Sequence, residues 1–233
     1  MGEPFEPRRV VVIEHDPGCP LDRFADWLGD APIDLVRPHA GDTVPSTVDG
    51  ALVVLGGPMS AYDDAVAPWL PSVRALLRVC VAQRTPTLGI CLGAQLLAVA
   101  TGGAVDVGAP GGRESGVIDV WWRPEARRDP LVAGLPDPAA GPSMHADAVV
   151  ELPPGAVWLA SSETYPYQAF RVGEAAWGVQ FHPEVSAATF AAWADKYPEV
   201  DTGAVTAEFE FRDSAIIASG RGLAERFLAL AAS

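Results

Sequence analysis

A chain of 233 residues, 49% hydrophobic and 20% charged, is long enough to bury one substantial core, and 16 basic against 30 acidic side chains leave it at −14. That field repels phosphate backbones and anionic lipid, so nucleic acid and membrane surfaces are poor partners for it. Three cysteines without a CxxC pair or Cys/His ligand spacing argue against a disulfide framework and a zinc site. No metal or other cofactor is expected, and a reducing cytoplasm is the compartment that fits.

Val10–Ile13 and Leu52–Leu55 are unbroken apolar runs ending in turn residues, the pattern of strands buried on both faces of a parallel sheet. The first is too short for a signal-peptide core and runs straight into Glu14, His15 and Asp16. Nowhere does the chain reach the ~18 uninterrupted apolar residues of a membrane span. Ile33–Val36 and Thr87–Ile90 are shorter strand-like runs. Between these runs, Leu21–Leu28 and Trp69–Val81 carry helical spacing, the latter through Leu70, Val73, Leu76, Leu77 and Cys80; Pro71 is compatible only with its first turn. Alternating strands and helices predict an α/β fold with right-handed crossovers. Beyond the glycine-rich stretch Gly102–Gly112 the pattern changes. Gly116–Trp122, Ala148–Leu152, Val157–Ala160 and Gln168–Arg171 predict short strands in a small antiparallel extension. Arg123–Met144, with five prolines, predicts a long surface loop. Ala187–Tyr197 and Ala215–Ala232 predict helices. With no internal repeat, a single domain over 1–233 is expected, its chemistry within about 10–200 and a helical segment over about 204–232.

Gly89-Ile90-Cys91-Leu92-Gly93 has the G-x-nucleophile-x-G form of a nucleophile elbow. Its glycines let the backbone pass too close for side chains while the nucleophile is held in a strained turn. The helix beginning near Ala94 would aim its positive end at the sulfur and favour a thiolate. Taken alone, the motif reads equally well as a buried cysteine beside incidental glycines. Cys80, on the apolar face of a helix, and Cys19, in a turn, read as inert.

A thiolate hydrolase also needs a base and a group to orient it. Of the four histidines, His182 stands in "WGVQFHPEV", where an apolar run ends and Pro183 stops the strand. Glu184, two residues on, can turn back to hold the imidazole. By itself this is equally a solvated strand end. In "VVLGGPMSAYDD", Gly56-Gly57-Pro58 follows another buried strand on the same sheet edge as Cys91. A backbone N–H freed by glycine there, with the Leu92 N–H just past the nucleophile, could form an oxyanion hole, although the motif alone is also a plain turn. Asp63 and Asp64 read as loop or helix-capping residues.

Taken in order, GGP, GICLGAQ and FHPE resemble the class I glutamine amidotransferases, most nearly the glutaminase half of GMP synthase and its free-standing relatives. The resemblance covers roughly Val10 to Val200. It implies a flavodoxin-like open, mostly parallel sheet flanked by helices with a small antiparallel extension, and a Cys91–His182–Glu184 triad that forms a γ-glutamyl thioester. By the same resemblance Gly57 and Leu92 supply the oxyanion hole, and Gly56, Gln95, His145 and Asp147 contact the substrate. "SMHADAV" departs from the synthases, which usually carry Ser or Asn and Gly where this chain has Met144 and Ala146. No SGGxDS-like or GxxxxGK[ST] segment of an ATP-pyrophosphatase domain occurs, so the chain is not expected to make GMP by itself. The substrate is then glutamine, with ammonia passed to a separate synthase partner, or a γ-glutamyl peptide or amine hydrolysed alone. A catalytically idle interaction module on the same fold is the alternative of a different class.

Overall fold

A computed structural model describes residues 9–232. Its strands are β1 (Val10–Ile13), β2 (Ile33–Val36), β3 (Ala51–Val54), β4 (Thr87–Ile90), β5 (Ala104–Asp106), β6 (Glu114–Trp122), β7 (Ala139–His145), β8 (Ala148–Glu151), β9 (Val157–Ser161), β10 (Ala169–Val172) and β11 (Ala176–Val179). The helices are α1 (Phe24–Trp27), α2 (Leu70–Gln83), α3 (Leu92–Ala100), α4 (Ala187–Ala194) and α5 (Thr202–Ala231). One sheet runs in the order β2-β1-β3-β4-β11-β10-β9-β6-β7, and β5 pairs with β8 in a separate small one. From β2 to β11 the pairing is parallel; beyond β11 it is antiparallel.

Every residue of β1, β3 and β4 is buried, because helices cover both faces of this part of the sheet. Val10, Val12, Val53 and Leu55 point into a core shared with Phe24 and Leu28 around α1, and with Leu223 and Phe227 of α5. Their neighbours Val11, Ile13, Leu52 and Val54 point the other way, onto Leu70, Val73 and Leu77 of α2 and Leu96 and Leu97 of α3. The period-two pleat thus divides each apolar run between two cores. α2 buries the five residues its spacing predicts, with Pro71 in its first turn.

The structure differs from the expected bounds in three places. The proline-rich stretch Arg123–Met144 is not one surface loop. After a 3-10 turn over Pro124–Arg128 it leads into β7, all seven of whose residues are buried and which pairs with β6 from His145–Glu114 to Ala139–Val120. Pro142 is tolerated because β7 is the edge strand, where one missing N–H costs least. Ala140 and Met144 pack with Phe190 and Trp193 of α4 and Phe209 and Ile216 of α5. α5 begins at Thr202, ahead of the apolar stripe from Ala215 and within two residues of the helical segment expected over about 204–232, with the Asp201 carboxylate accepting from the N–H of Ala204 at 3.0 Å. The stretch Leu21–Leu28 forms only the single turn of α1. No described helix is long and apolar enough to cross a membrane.

The order β2-β1-β3-β4-β11 reverses direction between β1 and β3, and the carboxyl ends of the parallel strands open onto one edge, the usual position of a ligand crevice in such sheets. The turns that follow β1, β3, β4 and β11 carry the residues described next.

Candidate active site

Cys91 occupies the turn between β4 and α3 with φ 50° and ψ −106°, a conformation that side-chain-bearing residues rarely adopt. Its N–H donates to the Val179 carbonyl at 2.8 Å and its own carbonyl accepts from Gln95 N–H at 3.0 Å, so the turn is held by the sheet behind it and the helix ahead of it. A Cβ on Gly93 would stand 2.0 Å from the Val54 carbonyl oxygen, and one on Gly89 would meet the Gly93 backbone at 2.5 Å. Both flanking glycines are therefore required by close backbone approach. Cys91 is almost wholly buried, and its sulfur receives the Gln180 side-chain amide at 3.5 Å.

His182 lies just beyond β11, its N–H donating to the Pro142 carbonyl at 2.7 Å. Its Nδ1 donates to Glu184 Oε1 at 2.7 Å, both side chains being buried. Nε2 is the nitrogen left to face Cys91, whose side chain lies against the imidazole. Burial by itself would lower the imidazole pKa, but the negative charges of Glu184 and Cys91 outweigh it and raise the value to about 10. The Trp193 ring packs on the imidazole at 4.5 Å between centroids. A Cβ on Gly56 would lie 2.9 Å from His182 Cε1 and 3.7 Å from Cys91 Cβ, so glycine at 56 leaves room for the two side chains to meet. Gly57 is the adjoining residue, with Leu92 Cδ2 3.0 Å from where its Cβ would stand.

On the far side of Cys91, Gln95 Nε2 donates to the Asp147 carbonyl at 3.0 Å and to Gln180 Oε1 at 3.2 Å. His145 is fixed from both ends. Its Nδ1–H donates to the Asp147 carbonyl at 2.9 Å, and Nε2 faces Glu114 Oε2 at 3.1 Å. The Asp147 carboxylate accepts from Gly108 N–H at 2.9 Å. Burial would raise the Glu114 pKa, but hydrogen bonds from His145, Ser162 and Ser143 prevail and hold it below the usual carboxylate range. Gln95, His145 and Asp147 border a hollow that opens at Cys91. The hydrogen bonds of His145 and Asp147 are spent on protein partners, so they shape that hollow.

The structure thus brings all nine sequence-derived residues to one sheet edge. Local motifs missed the ring around them: Gln180, Glu114, Trp193, Arg113 and Lys196. Gln180 could have been read from strand alternation, which puts it on the same side as His182; the others come from distant segments with no local signature. Cys80 and Cys19 are pushed up by burial, Cys80 to about 11, which leaves both as thiols at neutral pH. Asp63 accepts from Ser60 N–H and Asp64 pairs with Arg74, and no three potential metal-ligating side chains cluster among the described residues.

Chemically, the arrangement offers a strained thiol, an imidazole able to exchange a proton with it, a carboxylate that orients the imidazole, and backbone N–H groups beside the sulfur. The family model described as glutamine amidotransferase class-I matches residues 32–193. The chain is 37% identical over 141 residues to a glutamine-hydrolysing GMP synthase of Thermosipho melanesiensis, covering 60% of this chain and 25% of that one. It therefore spans about a quarter of the length of such relatives. Over 102 residues it is 39% identical to one subunit of the glutamine-hydrolysing GMP synthase of Methanoculleus marisnigri, covering 43% of this chain and 53% of that one. A solved glutamine amidotransferase of Thermotoga maritima superposes with a TM-score of 0.82 at 29% identity, covering 94% of this chain and 97% of that one.

Proposed function

The chain belongs to the glutamine amidotransferase class-I family, and on that premise we propose that it is a cysteine-dependent amidase acting on the γ-amide of glutamine or of a γ-glutamyl compound. One observation carries the reading: a cysteine at a positive-φ strand-to-helix turn meets a buried histidine–carboxylate pair. Cys91 attacks the γ-carbonyl, and the oxyanion that forms is stabilised by the N–H groups of Gly57 and Leu92. His182 gives a proton to the leaving nitrogen, then takes one from the water that hydrolyses the γ-glutamyl thioester. Glu184 holds the ring and supports its charge. Gly56 leaves space for the pair, while Gln95, His145 and Asp147 bound the γ-glutamyl side.

A second reading, an ammonia-donating component of a separate synthase, is favoured by the similarity to the Methanoculleus marisnigri synthase subunit. Hydrolysis by the purified protein alone, over glutamine and a panel of γ-glutamyl dipeptides and amines, separates the two. The amidase reading expects turnover of at least one γ-glutamyl compound above that of glutamine, lost by several orders of magnitude in Cys91→Ala and kept in Cys80→Ala. Activity that survives Cys91→Ala contradicts it. Turnover only after a second protein is added favours the ammonia-donor reading.

A further inference from the structure

Two hollows meet at Cys91. One is bounded by Gln95, Arg113, His145 and Asp147; the other, on the His182 side, by Asp16, Cys19, Trp193 and Lys196, and measures ≈ 60 Å³. In the reaction proposed above the general acid must lie within hydrogen-bond reach of the nitrogen it protonates. The leaving nitrogen therefore faces His182, and whatever it carries extends into the His182 hollow. Ammonia needs about the space of one water, roughly 10–15 Å³ on the same measure. The hollow is several times larger, and its walls are furnished.

Its floor is fixed. Trp193 packs on His182 and donates its indole N–H to the Gly18 carbonyl at 2.6 Å, which ties α4 to the turn after β1. Lys196 follows α4, its N–H donating to the Trp193 carbonyl at 3.0 Å. Its Nζ lies 3.3 Å from where a Gly18 Cβ would stand, so the ammonium rests over that turn. Lys196 is the only lysine in the chain; the other 15 of its 16 cationic residues are arginines. It forms no ion pair among the described residues. The other cation at the site, Arg113, is committed, paired with Glu199 at 3.0 Å and stacked over the Tyr197 ring at 3.6 Å. Asp16 lines the same hollow; its Oδ1 accepts from Gly18 N–H at 2.7 Å and stands 2.9 Å from that same Gly18 Cβ position, without pairing with Lys196. In a protein of net charge −14, a compact ammonium without an ion-pair partner, lining the hollow that opens at Cys91, is a local attraction for an anion.

We propose that the His182-side hollow is a leaving-group subsite for an amine that bears a carboxylate, with Lys196 pairing the carboxylate and Trp193 packing on the carbon between. The substrate class is then a γ-glutamyl amino acid; this rests on the amidase reading above. The Cys91 sulfur bonds to the γ-carbonyl carbon and the C–N bond breaks as His182 protonates the amino nitrogen, so the free amino acid leaves past Lys196. Water then attacks the thioester carbon, its proton passes to His182, and the C–S bond breaks to give glutamate and the thiolate.

The test compares kcat/KM for γ-glutamylglycine, γ-glutamyl ethylamide and glutamine. Wild type should prefer γ-glutamylglycine to the ethylamide by about tenfold or more, the scale of one charge-assisted contact. Lys196→Met should lower that ratio by about tenfold, and Lys196→Arg should keep most of it. A readout without turnover uses the single lysine. After reductive ¹³C-methylation of Cys91→Ala protein, γ-glutamylglycine should shift the dimethyl-lysine resonance and the ethylamide should not. Equal turnover of the glycine and ethylamide substrates, with no change of ratio in Lys196→Met, overturns the subsite and leaves the amidase reading standing. A preference for γ-glutamyl diaminoalkanes also overturns it, by placing a cation where we place a carboxylate. Failure of all three substrates overturns the amidase reading, and the subsite falls with it.

Discussion

The backbone at Cys91, with φ 50°, stores strain on the order of 1–3 kcal/mol, and the hydrogen bonds to Val179 and Gln95 hold it there. Next to it, Glu184 Oε1 serves His182 while Oε2 is buried without a hydrogen-bond partner among the described residues, so its charge acts mainly on the imidazole. His182 is raised to about 10, above the ~6.5 of an unfolded histidine. Its bound proton therefore stabilises the fold fully below about pH 6.5, and that contribution is lost as pH rises through about 10. The same proton is the one delivered to the leaving nitrogen, so kcat/KM should fall on the alkaline side near pH 10. Glu184→Gln should move that limb down by more than about one pH unit and cost less rate than Cys91→Ala; superimposable alkaline limbs in the pH–rate profiles of the two proteins would contradict the role given to Glu184. Cys91, His182 and Glu184 were legible because each sits in a local signature, glycine flanks or a strand-ending His-Pro-Glu. Glu114 was not, because its partners His145, Ser162 and Gln168 meet it only through the fold.

Strands β1 to β4 could be read to within a residue or so because a strand buried on both faces is an unbroken apolar run. β7 escaped because Gly141, Pro142 and Ser143 interrupt the apolar pattern within the strand. The first half of α5 fell within the expected helical segment but gave no stripe of its own, because Phe209 is the only buried residue before Ile216. These two elements matter for the site. β7 carries His145 and provides the Pro142 carbonyl to His182, and α5 holds α4 in place through Phe209 against Phe190 at 5.3 Å. Phe209→Ala should cost about 3–5 kcal/mol in urea unfolding. Because α4 carries Trp193 against His182, it should also lower kcat under conditions where the variant is still folded. A stability loss under about 1 kcal/mol with unchanged kcat would show that α5 does not brace the site in this way.

Across the whole molecule, one sheet edge gathers the turn after β1, the glycines after β3, Cys91 after β4 and His182 after β11, the crevice that the strand order implies. His15, just beyond β1, is part of the cost of this arrangement. It is buried, accepts from Trp69 Nε1 at 3.0 Å, and is lowered to about 4, chiefly by burial and then by His39. The unfolded chain takes up that proton first, so the stability due to a neutral His15 is intact above about pH 6.5 and is lost as pH falls through about 4, on the order of 3 kcal/mol in all. His15→Gln keeps an acceptor for Trp69 and should flatten the acid limb of stability against pH; an unchanged limb would assign acid unfolding elsewhere. The central claim is that the thiol at this edge is the nucleophile of a γ-glutamyl amidase. Incubation with a glutamine-derived chloroketone followed by peptide mass mapping tests it most directly. One adduct at Cys91, protected by substrate and absent from His182→Ala as well as Cys91→Ala, is the expected result; no adduct, or one on Cys19 or Cys80 with Cys91 untouched, would contradict it.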